Sequence, residues 1–340
     1  RTNERLLRLS VAEIKITAHI HWAIGTLLMV LMVMTALPVT AQLRLTGVAI
    51  TLSLLLAAYA LAQGRHNPNA NVAREWVYIG LIEVAATYAS ARLIRTELSV
   101  LDSWLAIITC GLAYIMYELP WNRLGWQNAP WKRSSVVLPI FTVLSTIGMI
   151  ATPSLLLVAG FYAWIAKRSS NVRLTYISVA LIDWVVMRWF SELKLNDLLW
   201  YIAPFGLSLL YVAQFDPHLK QPQERGTRHF LRLIGSGLIC GVAFWLHRET
   251  GFIPGIIGTI AIFAGLSLRV RAFLYIGTIT FLGTAFYQLV VLMFRYSFVK
   301  WVVGLILGII FIGLAANFET RREQIASALQ TSRAGLSHWE

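Results

Sequence analysis

Two carboxylic acids stand inside otherwise apolar runs of this sequence. Glu83 lies in "YIGLIEVAATYAS" and Asp183 in "YISVALIDWVVMRW". An ionised carboxylate at the middle of a bilayer carries a penalty of roughly 2.5–3.5 kcal/mol on insertion scales, so such groups face a cavity, a partner or a proton path. Glu83 follows Tyr78 by five residues and Asp183 follows Tyr176 by seven, which points them to different faces of equivalent helices. The matching stretch near residue 280 offers only Thr280. Two readings stay open: a coupled pair that exchanges protons, or two acids each neutralised or bonded to a neighbouring helix.

Other chemistry-bearing residues are sparse. His19 and His21 in "AHIHWA" are two apart, nearly opposite on a helix, which argues against a shared metal and for an interfacial role. Cys110 and Cys240 fall within separate apolar runs and read as small core residues. No phosphate-cradling "GxxxxGK[ST]", no "GxSxG" and no "HExxH" occurs. No catalytic residue, metal site or cofactor is therefore expected. The stretch "ELPWNRLGWQNAPWKR", 118–133, mixes Trp121, Trp126 and Trp131 with Arg123, Lys132 and Arg133. Such a mixture could stack a ligand, and at a membrane surface it serves as an anchor.

The elements that position these residues follow from composition. The chain has 340 residues, 57% hydrophobic and 13% charged, with a mean hydropathy of +0.65. Soluble domains carry about 25% charged residues. The apolar runs are continuous rather than alternating, which excludes a β-barrel and specifies an all-α integral membrane protein. Spans are expected near 17–38, 45–62, 76–94, 100–118, 135–151, 153–167, 173–190, 197–214, 230–247, 252–268, 272–293 and 297–316, twelve in all. The fifth and sixth are separated only by Thr152 and Pro153 and read as a tight hairpin, with one kinked helix as the rival.

Charge agrees with that division. Arg44, Arg92, Arg95, Arg188, Lys194, Arg248, Arg295 and Lys300 fall on one side, and every other Lys and Arg of the 29 falls on the side of the N-terminus. Positive residues collect in cytoplasmic loops, so both termini are expected in the cytoplasm. The net charge of +13 is then explained by topology and by anionic headgroups of the bilayer, with no nucleic acid required.

Three similar strings open odd-numbered spans: "REWVYIG" from Arg74 to Gly80, "RLTYIS" from Arg173 to Ser178 and "RAFLYIG" from Arg271 to Gly277. Their tyrosines, Tyr78, Tyr176 and Tyr275, are spaced by 98 and 99 residues. An arginine outside the membrane, a tyrosine at headgroup level and a small residue within make an interfacial anchor. "TELSVLD" at 96–102 resembles "SELKLND" at 191–197, and Gly111, Gly206 and Gly308 fall at comparable places. The expected architecture is three tandem four-helix repeats: a cytoplasmic flank at 1–16, repeats at 17–120, 133–216 and 230–316, and a tail at 317–340.

The closing stretch "RVRAFLYIGTITFLGTAFYQLVVLMFRYSFVKWVVGLILGIIFIGLAANFETRREQI", 269–325, resembles the C-terminal part of large uncharacterised multi-pass membrane proteins of cyanobacteria. The resemblance covers the last quarter of the chain. It implies a bacterial-type membrane protein, of an inner or thylakoid membrane, and brings no activity or functional residues. The chain opens at Arg1 without a methionine, which suggests a processed or excerpted protein. "PVTA" at 38–41 loosely resembles a signal-peptidase site, yet the first helix fits as the opening span of a repeat and is expected to stay uncleaved. In the tail, Ile325, Leu329 and Leu336 share a helical stripe that could lie on the membrane or dock a protein partner. Two function classes follow: a transporter or translocator of a small or lipid-like solute, or a non-catalytic membrane scaffold.

Overall fold

The computed structural model describes residues 11–36, 43–94 and 96–312. The tail at 317–340, most of the flank at 1–16 and the "PVTA" at 38–41 lie outside the described residues. Among the described residues the chain is all-helical, with twelve α-helices. They are α1 Val11–Ala36, α2 Leu43–His66, α3 Ala70–Ile94, α4 Leu105–Glu118, α5 Asn128–Ser145 and α6 Thr152–Ser169. There follow α7 Leu174–Glu192, α8 Leu198–Phe215, α9 Arg225–His247, α10 Phe252–Leu268, α11 Arg271–Arg295 and α12 Ser297–Ile312. Six of them (α1, α2, α7, α8, α9 and α11) are long and apolar enough to cross a membrane. Large apolar side chains face outward along them and their neighbours: Ile82, Leu144, Phe263 and Phe286 are each at least 60% exposed. Outward apolar faces of this extent mark a membrane protein.

Helix boundaries depart from the apolar runs in two places. The fifth helix begins at Asn128 and ends at Ser145, whereas the run 135–151 marks only its apolar part. Its polar first turns extend it toward Trp131, and Pro130 is tolerated there because first-turn N–H groups have no intrahelical acceptor. The fourth opens at Leu105, preceded by a 3-10 turn over Thr96–Leu101. Between α5 and α6 the chain turns through 146–151, so Pro153 starts a separate helix rather than kinking one.

Helix packing divides the chain into two compact units, Arg1–Tyr162 and Ala163–Glu340, and the division falls inside α6. In the first unit α2 packs along α3, α4 along α5, and α3 also touches α5. In the second, α8 packs along α9 and α10 along α11, and α9 also meets α10 and α11. Without a hydrophobic force between helices in lipid, close packing of small residues holds such pairs. At the α8–α9 crossing the backbones touch through Gly206 and Gly235. A Cβ on Gly206 would stand 2.8 Å from the Gly235 carbonyl oxygen, and one on Gly235 would stand 2.9 Å from that of Gly206. Gly111 and Gly308 face open space and share only the sequence position of Gly206.

Within the first unit, Pro139 interrupts the hydrogen-bond ladder of α5. The fully buried Tyr162 of α6 enters the gap. Its hydroxyl donates to the Val136 carbonyl at 2.6 Å and accepts from the Ile140 N–H at 3.1 Å. A tyrosine hydroxyl thus bridges these two backbone groups.

Candidate functional site

Helix α1 carries His19, Trp22 and Thr26 at offsets of three and four, which stacks them on one face. Across from them α3 presents Trp76 and Glu83, seven residues and about 10.5 Å apart along the helix axis. Helix α2 adds Tyr59. The His19 ring lies edge-on to Trp76 at 4.9 Å and to Tyr59 at 6.0 Å, and Trp22 lies edge-on to Trp76 at 4.9 Å. His19 Nδ1 is 2.7 Å from the Lys15 carbonyl oxygen and 3.2 Å from the Tyr59 hydroxyl. It donates to either when protonated, and when bare it accepts from the tyrosine. His21 turns away, with Nδ1 2.8 Å from the Thr17 carbonyl of its own helix.

At the far end of this stripe Thr26 Oγ1 donates to Glu83 Oε1 at 2.8 Å. Thr87 Oγ1 donates to the Glu83 carbonyl at 2.7 Å, and the Trp22 indole N–H donates to the Leu56 carbonyl at 3.2 Å. Glu83 Oε2 is enclosed and accepts no hydrogen bond of good geometry among the described residues, though the Trp22 indole N–H, committed to the Leu56 carbonyl, also interacts with the carboxylate. An enclosed acceptor without a partner costs about 1–3 kcal/mol, more if charged. Chemically, the arrangement is a half-satisfied carboxyl reached along a line of aromatic and protonatable groups.

Asp183 has a different setting in the second unit. It sits on α7 and accepts a hydrogen bond from Ser208 Oγ on α8. Glu83 and Asp183 are each bonded within their own unit, to a hydroxyl from another helix.

The repeated strings acquire a packing role. Gly80, Ser178 and Gly277 are all buried. A Cβ on Gly80 would lie 2.7 Å from Leu61 Cγ and 3.2 Å from the Ala57 carbonyl of α2, and one on Gly277 would lie 2.7 Å from the Ile262 nitrogen of α10. The tyrosines differ: Tyr78 and Tyr176 are half-buried, whereas Tyr275 is exposed. Arg74 and Arg271 are half-buried and Arg173 is exposed. Beside Tyr176, Asp216 closes the end of α8. Burial would raise its carboxyl, but the Tyr176 hydroxyl, the His218 N–H and the charges of Arg173 and His218 together hold it below the usual range.

The three tryptophans pack against one another. Trp121 and Trp131 stack at 3.6 Å between centroids, and Trp126 stands edge-on to both. Trp131 is buried with Val77 and Met116, Trp126 donates to the Leu61 carbonyl at 2.9 Å, and Arg65 lies over the Trp126 ring at 5.3 Å. The slot between the stacked indoles is closed to a ligand.

Sequence reasoning missed the paired ends of two hairpins. Arg92 holds Asp102 in a two-pronged pair, with Nε 2.9 Å from Oδ1 and Nη2 2.6 Å from Oδ2. Asp197 accepts from the Leu199 N–H, capping α8, and meets His247 Nε2 at 2.7 Å. The aspartate that closes both "TELSVLD" and "SELKLND" was the signal. Tyr59 and Trp76 were also missed, because aromatic residues near helix ends all read as anchors. Among the described residues no three His, Cys, Asp or Glu side chains gather as a metal site. Cys110 lies in the first unit and Cys240 in the second. No protein-family model matches the chain, and no curated protein and no solved structure is significantly similar to it.

Proposed function

We propose that the chain is a proton-coupled membrane transporter of a small or lipid-like solute, with Glu83 as the group that changes charge. One observation carries the reading: Glu83 Oε2, enclosed and without a hydrogen bond of good geometry among the described residues, at the inner end of the His19–Trp22–Thr26 stripe. A scaffold gains nothing from a carboxyl left half-bonded, whereas a carrier needs one that exchanges its proton. His19 and Tyr59 supply exchangeable protons at the outer end of the stripe. The rings of Trp22 and Trp76 fill the length between, and indole does not relay protons, so passage requires these rings to move or water to enter. That makes the indole pair a gate in this reading.

The same reading takes the twelve helices as spans of a bacterial-type membrane, inner or thylakoid, arranged as three tandem repeats with cytoplasmic termini. Anionic headgroups contact the cytoplasmic side, and the tail at 317–340 is available to a protein partner. Reporter fusions after residues 66, 170 and 222 should report cytoplasm, and fusions at 97, 194 and 249 the opposite side. Inverted signals at all of 170, 194, 222 and 249, with 66 and 97 as expected, would remove the hairpin at Pro153 from the topology.

The functional test is uptake of a panel of small and amphipathic solutes into proteoliposomes holding the full chain, with and without an imposed pH gradient. Gradient-driven uptake should be lost in Glu83→Gln while insertion and yield stay normal. Uptake that survives the substitution refutes the assignment of Glu83. A scaffold is the second reading. The apolar groove of about 350 Å³ beside α10 favours it, lined by Gly251, Phe252, Gly255, Ile256, Thr259, Ile260 and Phe281 and by neither carboxylate. A scaffold moves no solute in any arm of this assay.

A further inference from the structure

Helices α9 and α11 run parallel, each joined to α10 by a short connection, so both begin at the same end of the second unit. That end is densely basic. Arg228 and Arg232, one turn apart on α9, are buried at 7% and 4% exposure. His229 stands in the field of both Arg232 and Arg271. Arg271 is the first residue of α11, is only half-buried, and its Nε is enclosed with no protein partner among the described residues. The Arg232 Nη2 group donates to Gln214 Oε1 at 2.9 Å. Two helix N-termini add their partial positive charge at this end.

We propose that Arg271, backed by the field of Arg228 and Arg232, binds the phosphate group of an anionic molecule between the heads of α9 and α11. A tetrahedral phosphate accepts several N–H donors at once, and a guanidinium presents its own in a planar fork. The flanking side chains indicate a lipid as the source. Tyr275, one turn into α11, is 43% exposed, and Phe230, beside His229 on α9, is 59% exposed, so apolar surface begins where the basic cluster ends. Basic clusters between helices at a cytoplasmic surface bind anionic headgroups in this way. The inference rests on the membrane embedding and cytoplasmic orientation proposed above, and it is independent of proton coupling.

The test uses the purified full chain in dodecyl maltoside, titrated separately with dioleoylphosphatidylglycerol, dioleoylphosphatidylcholine and inorganic phosphate. Thermal unfolding and native mass spectrometry report binding. Phosphatidylglycerol should bind and raise the midpoint, phosphatidylcholine should not, and Arg271→Gln should weaken the response roughly tenfold, the loss of one charge-assisted contact. Arg271→Lys, which keeps the charge but not the fork, should fall between the two. Arg295→Gln, at the other end of α11, should respond as the parent chain does. A shift with inorganic phosphate alone assigns the site to a free anion. No response to either phosphate-bearing ligand overturns the proposal, as does an Arg271→Lys or Arg271→Gln response equal to the parent. Because no solute or pH gradient is involved, failure of the transport reading would leave this result standing.

Discussion

Replacing Tyr162 by phenylalanine removes one oxygen atom from the first unit and leaves two backbone groups of α5 to find other partners. The hydroxyl now joins the Val136 carbonyl and the Ile140 N–H around Pro139, and the side chain that delivers it is fully buried. A buried polar group left without a partner costs about 1–3 kcal/mol. If α5 keeps its present shape, losing both bonds destabilises the unit by about 2–6 kcal/mol. If α5 instead tightens until Ile140 donates directly to Val136, the loss shrinks to about 1 kcal/mol, one net hydrogen bond. Denaturant unfolding in mild detergent measures the total, and hydrogen exchange at the Ile140 amide tells the two outcomes apart. An open ladder speeds exchange there, and a closed one does not. A Pro139→Ala background sharpens the test, since a regular α5 no longer needs the plug and the cost of Tyr162→Phe should fall. An unchanged midpoint together with unchanged Ile140 protection would refute the account of Tyr162 as the missing rung.

Three further outcomes can be checked alongside. Gly277→Ala places a methyl 2.7 Å from the Ile262 nitrogen and 2.8 Å from the Gly258 carbonyl, backbone atoms that cannot yield, and should destabilise by about 1–3 kcal/mol in thermal unfolding. Gly255→Ala has nothing within 4 Å and should be neutral or slightly stabilising, by up to about 1 kcal/mol from helix propensity. Asp216 is held below the usual carboxylate range, so its contribution is present above the unfolded value and is lost as pH falls through the folded one. Stability should therefore decline below about pH 4, and Asp216→Asn should flatten that acid limb while leaving the alkaline limb as it is.

The helices were legible because the length of an apolar run is a local property. Each of the twelve expected spans has one helix, from α1 at Val11–Ala36 to α12 at Ser297–Ile312. Their ends were less so, since hydropathy marks where side chains turn apolar, not where backbone bonding begins. Thus α5 starts at Asn128 and α9 at Arg225, ahead of their apolar cores. Glu83 and Asp183 were conspicuous as carboxyls in apolar surroundings. Their hydroxyl partners, Thr26 and Ser208, are 57 and 25 residues away, and nothing local names them. The glycines of the two "YIG" strings show the same limit. Their smallness was visible, but the backbone of α2 or α10 lying against them is a long-range fact.

The plug at Pro139 also has a consequence in time. A chain is made from its N-terminus, and α5 is complete before Tyr162 has been added. Until then the Ile140 N–H and Val136 carbonyl lack the hydroxyl that bridges them, and α5 alone either leaves that rung open or tightens to close it. The turn at 146–151 is short enough for α6 to follow at once. Docking of α6 then brings the hydroxyl to the rung, or reopens a rung that had closed. The order of synthesis thereby becomes part of how this segment folds.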